Sequence, residues 1–76
     1  MTNAEARLLR FLHAAHVRAP WVADQAIRNT EDLLPGDEKA MPALLSRGLV
    51  EKKTSELSYR VTDRGLKALG RGKGEV

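Results

Sequence analysis

The chain has 76 residues, no cysteine and a net charge of +3. That length is expected to hold one domain with no room for a separate ligand domain, and the missing thiols exclude disulfides and thiolate metal sites. No basic segment leads into an apolar run and no stretch approaches the ~18 apolar residues of a membrane span, so the expectation is a soluble, cytoplasmic protein and, with Met1 at its start, a complete small gene product.

Ala4 to Val17 reads as an amphipathic helix, with Leu8, Leu12 and Ala15 on one face and Phe11 beside them. Thr2 or Asn3 can cap it, Glu5 suits its dipole, and Pro20 stops it near Val17 or Arg18. Pro20 also fits the first position of a second helix, Trp21 to Asn29. Its stripe of Ala23, Ala26 and Ile27 lets another helix approach closely. Pro35-Gly36 predicts a turn over Leu34–Asp37. A third helix follows. Proline is tolerated only in a first turn, so Pro42 places the start of the regular helix between Lys39 and Met41, and Gly48 ends it.

Leu49–Lys53 and Leu57–Val61 predict a β-hairpin around the polar turn Thr54-Ser55-Glu56. In its second strand Leu57, Tyr59 and Val61 alternate with Ser58 and Arg60. Thr62 and Asp63 then open a short helix that ends at Leu69 or Gly70. The chain divides into a domain over 1–70 and a flexible, basic, Gly-rich tail over 71–76. The expected core is Leu8, Phe11, Leu12, Ile27, Leu44, Leu45, Leu49, Tyr59, Val61, Leu66 and Leu69.

Leu44 to Gly65, LLSRGLVEKKTSELSYRVTDRG, resembles the recognition-helix-to-wing segment of winged helix-turn-helix proteins such as the MarR-like and PadR-like transcriptional regulators. The shared features are a Leu-rich helix end, a Gly-Leu-Val step into a strand, a polar loop, and Tyr-x-Val-Thr-x-x-Gly. The resemblance implies a mainly α winged-helix domain of three helices, a two-stranded wing and a short C-terminal helix. It also implies a regulator of transcription that binds double-stranded DNA. The third helix would enter the major groove, with contacts near Lys39, Ala40, Ala43, Ser46 and Arg47. The wing would reach phosphates through Lys52, Lys53 and Arg60, and Arg28 is a further candidate. Homodimerisation would use the first and last helices.

The charge distribution supports a polyanion partner. Residues 1–36 are neutral, residues 37–44 carry −1, and residues 45–76 carry +4 from eight bases against four acids. A rival reading is a protein-interaction module, of the kind small mobile-element proteins use to dock on a partner complex. The third helix opens on Asp37-Glu38, and its early turns offer no Asn, Gln or Arg for bidentate base reading. On that reading Asp37, Glu38 and Trp21 face the partner. Trp21 is otherwise a core anchor between the first two helices, and Lys52-Lys53 a charged edge that blunts aggregation.

No enzyme is expected. Ser46, Ser55 and Ser58 lack a base-and-orienter arrangement, and Gly70–Gly74 is no phosphate loop because no Lys-Ser/Thr opens a following helix. His13 and His16 could face one metal, but zinc needs three or four ligands, so neither a metal nor a cofactor is expected.

Overall fold

The computed structural model describes residues 2–16 and 18–74, with side chains through residue 69. Among them are four α-helices, one 3₁₀ helix and a three-stranded antiparallel sheet. Helix α1 (Asn3–His16) is opened by Thr2. The Thr2 hydroxyl accepts from the Glu5 N–H at 3.1 Å and the Glu5 carboxylate accepts from the Thr2 N–H at 2.9 Å. This reciprocal capping box satisfies two donors that the first turn leaves free.

The expected helix over Trp21–Asn29 is instead a strand followed by a shorter helix. Val22–Ala23 forms β1, and α2 (Asp24–Asn29) follows. The cause is tertiary. The backbone of this segment bonds to a distant strand, with Val22 opposite Tyr59 and the Asp24 N–H donating to Leu57 O at 2.9 Å. Buried there, the β-branched Val22 packs well on a sheet.

The turn at Leu34–Asp37 is present, closed by the Asp37 N–H on Leu34 O at 3.0 Å. Gly36 takes φ 92°, the left-handed position that such a Pro-Gly turn requires. A 3₁₀ helix (Asp37–Ala40) leads into α3 (Met41–Ser46), with Pro42 in its first turn. Gly48, at φ 74°, ends α3: its N–H donates to Leu45 O and that of Leu49 to Leu44 O, a pairing that satisfies carbonyls left over at the helix end.

The hairpin comprises β2 (Val50–Lys53) and β3 (Ser58–Val61), in the register Val50–Val61, Glu51–Arg60, Lys52–Tyr59 and Lys53–Ser58. With β1 added, the order is β1-β3-β2, so the expected two strands are three. Leu57 belongs to the turn and is 49% exposed, while Ser58 is 7% exposed. Thr62 joins the hairpin to α4 (Asp63–Gly74): its hydroxyl donates to Gly48 O at 2.7 Å and accepts from the Gly65 N–H at 3.1 Å. The expected end of this helix at Leu69 or Gly70 is too early. No proline interrupts 71–74, and each glycine costs a helix only about 1 kcal/mol. Of the segment read as a tail, Glu75 and Val76 lie outside the described residues.

The core gathers Leu8, Leu9 and Leu12 of α1 with Ile27, Met41, Leu44, Leu49, Val50, Tyr59 and Val61, and Val22 joins it from β1. Leu9, Val22, Met41 and Val50 were not among the expected core residues. Four expected ones, Phe11, Leu45, Leu66 and Leu69, are only partly buried against the cluster. Among the described residues no helix is long and apolar enough to cross a membrane.

Candidate nucleic-acid interface

Asp37 was expected at the surface, where it would repel phosphate or meet a partner. It is 3% exposed. Its carboxylate accepts from Arg7 Nε at 2.8 Å and Arg7 Nη2 at 3.0 Å, and also from the Leu34 N–H at 2.9 Å. The Arg7 guanidinium holds this carboxyl below the usual Asp range, aided by the Leu34 N–H and opposed by burial. The fork, planar on both sides, ties α1 to the start of the 3₁₀ helix. Asp37 therefore cannot reach a partner. Glu38 is half-buried and accepts from the Gly36 N–H at 3.2 Å.

With Asp37 turned inward, the exposed side of the 3₁₀–α3 unit carries Lys39, Pro42 and Ser46, and Arg47 follows at the C-cap. Arg47 is 52% exposed and reaches Glu5 only at 3.4 Å, so its guanidinium stays accessible. No ion pair among the described residues holds Lys39.

The hairpin bases do not act as one group. Side chains alternate along a strand and directly paired residues share a face. Lys52, opposite Tyr59, lies on the face of Val50 and Val61, the one that packs on the helices. Lys53 and Arg60 lie on the opposite face. There Lys53 pairs with Glu56 at 3.2 Å and Arg60 pairs with Glu51. Trp21, half-buried just before β1, completes this outer face: Arg60 Cζ stands 5.0 Å and Lys53 Nζ 5.2 Å from its ring centroid. These are cation–π distances. Trp21 is thus not part of the buried core, although it also borders the open space between α1 and α2.

Arg28 is the remaining sequence candidate. It is exposed but bonded to Asp24 at 2.6 Å, one turn back on α2, and this contact raises its pKa further above the usual Arg value. Burial raises the Tyr59 phenol, which leaves it neutral. The structure therefore leaves Lys39, Ser46 and Arg47 exposed along the 3₁₀–α3 unit and Lys52 exposed on the helix-facing side of the hairpin. It separates Lys53 and Arg60 from them. Sequence reasoning missed Arg7, Glu51 and Glu56 as charge partners. Strand alternation could have revealed the split between Lys52 and Lys53; no local signal links Arg7 to Asp37.

Among the described residues no group of three or more His, Cys, Asp or Glu is placed to hold a metal ion. Comparison with protein-family models, with characterised proteins and with solved structures finds no match.

Proposed function

We propose that the chain is a winged-helix domain that binds duplex DNA as a small regulator of transcription, with the 3₁₀–α3 unit at the major groove and the β2–β3 hairpin as its wing. The observation that carries this reading is the inward Asp37, neutralised by Arg7. It removes one of the two acids from the front of α3 and leaves Lys39, Arg47 and Lys52 exposed, with Glu38 half-buried. The order of helices and strands and the β1-β3-β2 sheet are compatible with the fold. The same burial withdraws one of the two acids on which the protein-partner reading rested.

The face is rich in phosphate-binding groups and poor in base readers. Lys39, Arg47 and Lys52 suit phosphates, while Ser46 is a weak discriminator of bases. Affinity should therefore depend strongly on salt and weakly on sequence. Gel shifts with mixed duplexes at about 50 mM salt test this, since phosphate-dominated binding is strong at low ionic strength. Retardation of most duplexes, lost as salt rises, is the expected result. No retardation of any duplex overturns the proposal.

A further inference from the structure

On the side of the molecule formed by α1, β1 and α2 lies an open groove. Two cavities, about 430 Å³ and about 290 Å³, share Phe11, Ala14 and Asp32 and so form one channel. Its floor is apolar, built from Phe11, Ala14 and Ala15 of α1 and Ala26 of α2, and Trp21 closes one end. The alanines keep the floor low, so an incoming backbone can approach closely. Along α1 the channel runs from Arg7 to Ala15, about 12 Å at the helical rise, enough for two turns of a docked helix.

Its charge defines the occupant. Arg10 lines one end and Arg18 the other. Both are exposed, and no ion pair among the described residues holds either. Arg7 is already neutralised by Asp37. Asp32, on the opposite wall, is the single carboxylate among the lining residues, so the rim is net positive. A second copy would bring Arg10 of α1, or Arg64 and Lys67 of α4, to this rim, and like charges would meet. The geometry points to this groove as the docking site for an acidic amphipathic helix of a partner protein, its apolar stripe on Phe11, Ala14 and Ala26 and its carboxylates on Arg10 and Arg18. Anchors at i, i+3 or i+4, and i+7 fit the length of the channel. The site is separate from the proposed DNA face, so the two activities are separable.

The test uses the full chain and a displayed library of short helical peptides. All share one apolar stripe; their flanks range from all Lys to all Glu. Trp21 is the only tryptophan, so its fluorescence reports occupancy of the groove directly. Glu-flanked peptides should bind at least about tenfold more tightly than Lys-flanked ones and should shift the Trp21 emission. The double change Arg10→Glu with Arg18→Glu should reverse that preference, with the melting curve and the salt slope of duplex binding unchanged. Ala14→Gln, a neutral and longer side chain at an exposed position, should fill the channel and weaken the Glu-flanked peptides by about tenfold, as loss of a buried contact does. Equal binding across the charge series, no binding by any peptide, or binding unmoved by charge reversal would each overturn the assignment.

Discussion

Replacing Lys52 with Ala should weaken duplex binding, whereas replacing its neighbour Lys53 should not. Lys52 is exposed on the helix-facing side of the hairpin, while Lys53 points to the other face and is held by Glu56 and the Trp21 ring. Each phosphate neutralised on B-DNA contributes about 0.9 to the slope of log affinity against log salt. Lys39, Arg47 and Lys52 together give a slope of about −2.7 per monomer, and the Lys52→Ala variant about −1.8. Between about 50 and about 200 mM salt, the intact protein should then lose about 40-fold in affinity and the variant about 12-fold. Fluorescence anisotropy of a labelled duplex over a salt series measures both slopes. Lys53→Ala should keep the slope of the intact protein. Equal slopes for the two variants, or the larger change at Lys53, would refute the division of the hairpin into a DNA face and an outer face.

Three further outcomes concern stability. A Cβ at Gly65 would overlap Leu49 O and stand 2.7 Å from Val61 Cγ2, so Gly65→Ala should cost about 1–3 kcal/mol in urea unfolding as α4 is pushed off the hairpin; an unchanged midpoint would contradict that close approach. Leu44→Ala should cost about 2–5 kcal/mol, because Leu44 has no exposed surface, and half-buried Leu45 should cost less; the reverse order would show that α3 is rotated. Asp37→Asn should lower stability at neutral pH. Because Arg7 depresses the folded-state pKa of Asp37, its contribution is complete above the unfolded value of about 4 and is lost as pH falls through the folded one. The gap between Asp37→Asn and the intact protein should therefore close in acid, and a gap constant with pH would count against the fork.

Where an element rests on local chemistry, the sequence was enough to find it. Gly48 supplies the left-handed residue that ends α3, Pro35-Gly36 makes its turn unaided, and Thr62 finds the N–H of Gly65 three residues on. Where an element depends on distant chain, the signal fades. A two-residue strand at Val22 has no period to detect, and it exists because Tyr59 lies across from it. Asp37 reads as a surface acid in any window that omits Arg7, thirty positions earlier. Leu57 reads as the first inward residue of a strand, yet the pairing of Lys53 with Ser58 lengthens the turn by one residue and leaves Leu57 in it. At the candidate interface, residue types were legible but their pairing was not: Arg60 and Lys53 look as available as Lys52 until Glu51, Glu56 and Trp21 are placed around them.

The central place of β3 in the sheet sets the timetable of biosynthesis. β3 pairs with both other strands and packs on α1, yet it is made after α1, β1, α2 and α3. Leu8, Leu9 and Leu12 leave the ribosome early and lack part of their cover until Tyr59 and Val61 follow. Pairing Val22 with Tyr59 also closes a long loop, whose entropy must be overcome before the contact stabilises anything. A nascent chain paused before residue 58 therefore keeps its leucine stripe open to chaperones and proteases, and a fragment that stops after α3 should not persist as a folded unit.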